Sequence, residues 1–442
     1  MKRIEPLPST LPEAGSDVLV PRGFAAGGWA AGIKASGRPD LAVVTVTMDE
    51  PASAAATYTL NRVVAAPIVI SRRNLLAGAP EGAGRWGSAR AVVCTSGAAN
   101  AATGADGERD QERIGGVVAG ALGVPPESVM ALSTGVIGSR LPLHIIEPAL
   151  TAHLPADLSA DPTAFTAAAE AMRTTDSRRK IASVEVAGPD GSSVRVLGIA
   201  KGVGMIHPRM ATMLAVVMTD AAMAAPALSE MLRRVVARTW DQLSVDGDTS
   251  TNDTVFLLAS GAAGGSTDPA ALESAVESVA RSLARQQAAD GEGATTLLTC
   301  QVSGAADDVD ARAVARAVVS SSLVKAALHG RDPNWGRLAG AAGNARLPDA
   351  EVLQAAGLAE ADARARAGSG VPIDPERLSI AIAGTTVFAG TPVPFDRAAV
   401  STAMDASEVV VRLDLGTGAG VGEAWGCDLT EAYVVENSAY TT

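Results

Sequence analysis

The 442 residues carry a net charge of -12, with 36 Lys and Arg against 48 Asp and Glu scattered along the chain. That balance excludes a nucleic-acid binder, whose phosphate contacts need clustered cations. Apolar residues make up 47% but aromatics only 3%, so the core has to be assembled from Ala, Val, Leu and Ile on closely approaching elements.

A length prior of roughly 150 residues per domain suggests about three compact units or two larger ones. The chain opens on "MKRIEPLPSTLPEAG", charged early and without the apolar stretch of a signal peptide. No uncharged apolar run elsewhere reaches the ~20 residues of a membrane span, so a soluble protein with no membrane partner is expected. Residues 40–69 alternate "LAVVTVTM" and "PIVI" around an Ala-rich middle, a pattern of strands with a buried face. Residues 181–200, "IASVEVAGPDGSSVRVLGIA", predict a hairpin closed by a Gly-Pro-Asp-Gly turn. Next comes "KGVGMIHPRMATMLAVVMTD" (201–220), a loop of small and flexible residues running into an apolar strand from Met213 to Met218. Leu228, Met231, Leu232 and Val235 fall at helical spacing within 226–243, as do Leu272, Val276, Val279 and Leu283 further on. "TVFLLAS" (254–260) and "TTLLTCQV" (295–302) read as strands, 307–328 as one helix, and 378–390 with 408–416 as a return to sheet. The sum is a mixed α/β chain with much antiparallel pairing.

Familiar catalytic signatures are missing. "KGVG" lacks the third glycine of a dinucleotide loop and opens no helix. Cys94, Cys300 and Cys427 form no CxxC pair, and His144, His153, His207 and His329 have no metal-ligand spacing, so no metal site is expected. Cysteines so placed suit a reducing cytosol. No GxSxG elbow marks a serine.

A threonine can supply its own base. If the peptide bond between Ala211 and Thr212 is cut, Thr212 gains an α-amine of pKa ~8 within reach of its own hydroxyl. An N-to-O acyl shift needs a hydroxyl just after the bond, room on the carbonyl side, which Ala211 leaves, and a loop shaped by its backbone. By residue chemistry alone the default stays plainer, because most mid-chain Ala-Thr pairs are ordinary strand entries.

The 201–220 stretch resembles the cleavage-site motif of the ornithine acetyltransferase family, the ArgJ-type glutamate N-acetyltransferases, in which the threonine of an A-T-M-L segment becomes the nucleophile. Collinear segments extend the likeness: "RGFAAGGWAAGIKASGRPDLAVV" (22–44), "TSGAANAATG" (95–104), "STGVIGSRLP" (133–142), "TTDSRRK" (174–180), "SVDGDTSTNDTV" (244–255), "GEGATTLLTCQVSGA" (291–305), "LVKAALHGRDPNWGR" (323–337) and "YVVENSAYTT" (433–442). The resemblance implies an N-terminal-nucleophile-like α/β/β/α arrangement of the DmpA/ArgJ-like type, with largely antiparallel sheets layered with helices and a smaller C-terminal α/β domain. It divides the chain into a main catalytic domain, 1–225, a helix-strand segment completing the core, 226–305, and a C-terminal domain, 306–442. Cleavage would leave an α chain of 1–211 and a β chain of 212–442, with strands on each side of the cut sharing one sheet.

Carried over by residue, the resemblance makes Thr212 the nucleophile, with the Thr134 hydroxyl and Gly135 N–H holding the oxyanion. Thr174, Lys201, Thr212, Glu292, Asn437 and Thr442 become substrate-binding positions: Lys201 suits an α-carboxylate, and Glu292 an ammonium or a proton relay. The implied reaction moves acetyl from N-acetylornithine to glutamate in arginine biosynthesis, in the cytoplasm, without a cofactor, and in an assembly of two copies of each chain. Acetyl-CoA as a further donor stays open. "SVDGDTSTNDTV" lacks the closing glutamate of a calcium loop and is read as local side-chain-to-backbone bonding, with support of the cleavage loop as the weaker alternative. "DPNWGR" is read as a packed turn around Trp335, while His207 and Arg209 are near Thr212 without an assigned role. Arg179 stands where the family favours proline and Ala102 where cysteine is common, which touches substrate choice more than mechanism. Rival readings are an N-terminal-threonine amidohydrolase or aminopeptidase, a paralogous acyltransferase of secondary metabolism, and an uncleaved amino-acid-binding protein.

Overall fold

A computed structural model of the chain describes residue 4 and residues 11–187, 193–207, 213–264 and 268–439. Ala211, Thr212, Arg209 and Thr442, together with the hairpin turn at 188–192, lie outside the described residues.

Two sheets stack face to face. One has six strands, in the order Trp86–Ala89, Ala52–Tyr58, Thr254–Ala259, Leu214–Thr219, Ser193–Lys201 and Lys180–Ala187. The other has four: Phe24–Trp29, Leu41–Val46, Ala91–Ala98 and Val129–Val136. Their facing sides share one apolar interior, to which Ile68 and Leu75 of the helix Ala66–Gly78 and Phe165 of the helix Pro162–Met172 also contribute. Helices Ala225–Arg238 and Pro269–Ala289 cover the outer face of the six-stranded sheet. Helices Gly104–Leu122 and Leu143–His153 cover the outer face of the four-stranded one. The result is a helix-sheet-sheet-helix sandwich.

Coverage on both sides explains the apolar run after the loop. Leu214, Val216 and Met218 point into the interior between sheets, Ala215 and Val217 toward the outer helices, and all six residues of Leu214–Thr219 are buried. This strand pairs antiparallel with Ser193–Lys201 and parallel with Thr254–Ala259, so the strands flanking residues 208–212 are neighbours in one sheet, as expected. The hairpin forms in register from Lys180 opposite Ala200 to Ala187 opposite Ser193.

A third sheet of six strands, Leu243–Ser244, Gly420–Cys427, Leu297–Ala305, Glu408–Asp414, Ser379–Ile382 and Thr385–Ala389, packs the helix Asp308–Ser320 over a separate core. The strand Leu297–Ala305, grouped by sequence with the catalytic core, therefore belongs to the C-terminal sheet, held between Glu408–Asp414 and Gly420–Cys427. Other expectations also change. "PIVI" opens the helix Ala66–Gly78 with Pro67 in its first turn, where no N–H is needed, and the Ala-rich middle is the strand instead. The helix over 307–328 breaks at Ser321, whose side chain accepts the N–H of Val324 and starts a second helix, Ser322–His329. "DPNWGR" is a helix entry: Asn334 caps Trp335–Gly343, and Trp335 stacks on Phe388. No helix among the described residues is long and apolar enough to cross a membrane.

Candidate active site

A cavity of 310 Å³ opens where the two stacked sheets meet the C-terminal helix Glu431–Ala439, and Thr134, Gly135, Thr174, Lys201, Glu292 and Asn437 all line it. Five elements or loops converge to place them. The remaining sequence-named positions, Ala211, Thr212 and Thr442, lie outside the described residues.

Thr134 and Gly135 sit near the end of the strand Val129–Val136, where its parallel pairing with Ala91–Ala98 slips at Gly97 and Ala98. Gly135 has φ of +131°, and a Cβ there would come within 2.3 Å of the Gly97 carbonyl carbon. Only glycine fits this bend. Lys201 ends the strand Ser193–Lys201, and its Nζ donates to Thr134 Oγ1 at 3.2 Å. With its lone pair so engaged, the Thr134 hydroxyl can turn its own proton toward a cavity oxygen.

Lys201 is buried, and burial pushes its ammonium below the ordinary value, with the Asp176 carboxylate opposing. Asp176 Oδ2 lies 3.9 Å from Lys201 Nζ, and Oδ1 accepts from Lys180 Nζ at 2.7 Å and from Gly202 N–H at 2.8 Å. Burial would raise the Asp176 pKa, but Lys201, Lys180 and the Gly202 N–H outweigh it and hold the carboxyl well below the usual range. Lys180 Nζ also reaches Asp290 Oδ2 at 2.6 Å. Asp176, Lys180 and Asp290 were not foreseen. A carboxylate inside "TTDSRRK" reads as surface until the fold buries two lysines against it.

Glu292 faces Lys201 across the cavity. Its carboxylate accepts the Thr175 hydroxyl at 2.7 Å and Asn437 Nδ2 at 2.9 Å, while its N–H donates to Val203 C=O at 2.9 Å. The side chain lies flat over Gly204, where a Cβ would sit 2.2 Å from Oε2. Thr174 contributes mainly backbone: its N–H donates to Asp176 Oδ2 at 3.1 Å and its carbonyl accepts Arg38 at 3.0 Å.

The "SVDGDTSTNDTV" stretch makes the local bonds expected, such as Asn252 N–H to Ser250 Oγ at 3.1 Å, and in addition lines and braces the site, the weaker alternative. Asn252 Nδ2 donates to the carbonyls of Ala99 and Ser133 at 2.7 and 2.8 Å, and Asp253 Oδ1 accepts the Met213 N–H at 3.0 Å. His207 pairs with Ser244 Oγ at 3.1 Å and lines a different cavity, beside Gln242 and Arg312. No group of three His, Cys, Asp or Glu side chains suited to a metal ion occurs among the described residues.

An ammonium bound to a threonine hydroxyl, a glycine bend beside it and a carboxylate opposite form a pocket for a small zwitterion and for an oxyanion, the equipment of an acyl-transfer enzyme. The chain belongs to the ArgJ family, whose profile matches residues 25–442. It is 46% identical over 425 residues to the "Arginine biosynthesis bifunctional protein ArgJ" of Thermus thermophilus, covering 96% of this chain and 100% of that protein. It is 43% identical over 438 residues to the protein of the same name from Deinococcus radiodurans, covering 99% and 100%. Among solved structures, the argJ protein of Bacillus halodurans is 35% identical with a TM-score of 0.43, covering 50% of this chain and 96% of that one. The ornithine acetyltransferase of Mycobacterium tuberculosis, complexed with ornithine, is 36% identical with a TM-score of 0.39, covering 44% and 95%.

Proposed function

We propose that the protein is a self-cleaving N-acetyltransferase of arginine biosynthesis that carries acetyl from N-acetylornithine to glutamate on Thr212. The observation that carries this reading is the Lys201 to Thr134 contact, at 3.2 Å, in the same cavity as Glu292. The Thr212 hydroxyl attacks the acetyl carbonyl while its α-amine takes the proton. The oxyanion that forms is stabilised by the Thr134 hydroxyl, polarised by Lys201, and by the Gly135 N–H. Collapse, with the proton passing from the Thr212 α-ammonium to the leaving nitrogen, expels ornithine and leaves an acetyl-threonine ester. Glutamate enters the vacated pocket, its neutral amine attacks that ester as the Thr212 α-amine takes the proton, and that proton returns to the Thr212 oxygen as N-acetylglutamate leaves. Lys201 pairs with the α-carboxylate common to both amino acids, and Glu292 holds the side-chain ammonium of ornithine or relays a proton from the incoming amine of glutamate.

The reaction needs no cofactor, and acetyl-CoA can serve as an alternative donor to the same threonine. The α and β chains remain together as an α2β2 assembly in the cytoplasm. Incubation with N-acetylornithine, with and without glutamate, tests the reading. The expected result is N-acetylglutamate formed in step with ornithine release and little free acetate; acetate released equally fast in both mixtures identifies a hydrolase instead.

A further inference from the structure

Both banks of residues 208–212 are held by one acidic stretch that the catalytic reading does not use. Upstream, Asp246 Oδ1 accepts the Ile206 N–H at 2.8 Å and Oδ2 accepts the Met205 N–H. Val245 N–H donates to Ile206 C=O at 2.6 Å, Thr249 bridges Ile206, and the Thr249 hydroxyl donates to His207 C=O at 2.9 Å. Downstream, Met213 gives its N–H to Asp253 Oδ1 at 3.0 Å and receives the Thr254 N–H on its carbonyl at 3.1 Å. Met213 is thus pinned through both of its backbone groups.

Two details distinguish these contacts from ordinary loop bonding. Met205 has φ of +52°, a left-handed conformation that a residue with a side chain adopts only under constraint, and Asp246 supplies that constraint. Asp253 is fully buried. Burial raises its pKa well above the ordinary value, against the pull of the Met213 N–H. A buried carboxyl is costly to keep, and the group it secures is the backbone N–H directly after position 212.

We infer that Asp246 and Asp253 are positioning residues for self-cleavage, fixing residues 205–207 and Met213 on either side of the proposed cut. The inference rests on the cleavage reading above. In that step a C–O bond forms between Thr212 and the Ala211 carbonyl carbon, the C–N bond breaks, and the hydroxyl proton ends on the freed amine. Water then hydrolyses the ester to an Ala211 carboxylate and restores the hydroxyl. Neither aspartate exchanges atoms; both act through the backbone they hold.

The test is a cleavage time course of the full chain made by cell-free translation, read by denaturing gel and intact mass. Asp253→Ala and Asp246→Ala should slow cleavage on the order of 10²-fold, the scale of a misplaced reacting group. Asp253→Asn keeps an acceptor oxygen and should cleave near the wild-type rate. The slow precursors should retain the native mass and melting temperature of the Thr212→Ala precursor. If Asp253→Ala does not fold, Asp246→Ala, on the less buried bank, carries the same expectation. A wild-type chain that stays intact overturns the cleavage reading and this inference with it. A wild-type chain that splits, beside folded Asp253→Ala and Asp246→Ala chains that split equally fast or an Asp253→Asn chain as slow as Asp253→Ala, overturns the inference alone.

Discussion

Lys201 is where buried charge meets the proposed oxyanion donor, Thr134. Its Nζ binds Thr134 Oγ1 and faces Asp176, so Lys201→Met removes the polarising charge and leaves Asp176 with one fewer cation. Single-turnover acetylation of Thr212 by N-acetylornithine should fall by about 10²–10³, the loss typical of one oxyanion donor. Asp176 should show itself in acid. Its folded-state pKa is depressed below the ordinary 3.8, so its contribution is present above that value and is lost as pH falls below it. Melting temperature against pH should therefore drop steeply from about pH 4 downward, and Asp176→Asn should lower stability at neutral pH while flattening that acid limb. At this scale the sequence exposed Thr134, Lys201, Glu292 and Asn437 only through their resemblance to a family pattern. Asp176 and Lys180 escaped notice because a charged pair in a polar stretch gives no sign of burial.

The loop Gly202–Val203–Gly204 and the helix Glu431–Ala439 together set the pose of Glu292. Gly204 leaves room for the carboxylate, and Asn437 and Thr175 orient it. Gly204→Ala puts a methyl group into the Glu292 side chain, which can swing away, so melting temperature should change little. The KM for the amino-acid acceptor should rise about tenfold, the equivalent of one charge-assisted hydrogen bond. Steady-state kinetics beside thermal melting separates the two effects. Gly135→Ala should behave differently, because its clash is with the Gly97 backbone and its φ is left-handed. It should destabilise by about 1–3 kcal/mol in denaturant titration, in addition to slowing turnover.

Element type was legible where periodicity was long: the helices Ala225–Arg238 and Pro269–Ala289 follow directly from their apolar spacing. Short runs misled. "PIVI" has strand composition, but proline in a first turn favours a helix, and the Ala-rich Ala52–Tyr58 forms a strand because its narrow side chains fit between packed layers.

At the scale of the molecule, the strands Ser193–Lys201 and Leu214–Thr219 are hydrogen-bonded neighbours although they flank the proposed cut. Cleavage should leave the native mass unchanged, with two bands on a denaturing gel and a single cooperative unfolding transition; chains that separate in native buffer would contradict the shared sheet. That sharing was legible because the hairpin and the apolar strand follow each other along the chain. Membership of Leu297–Ala305 in the third sheet was not, since an apolar strand reads alike in either core and its partners, Glu408–Asp414 and Gly420–Cys427, are distant in sequence.

The Lys180 cluster extends this bond between halves. Lys180 lies upstream of residue 211 and its partner Asp290 downstream, 2.6 Å apart and sealed from solvent. The downstream half synthesised alone would lose the lysine that pairs Asp290, and either half would bare the flank of a six-stranded sheet, inviting degradation or precipitation. On the proposed cleavage, translation as one polypeptide would supply the two pieces in equal number and let each find its mate before the scission.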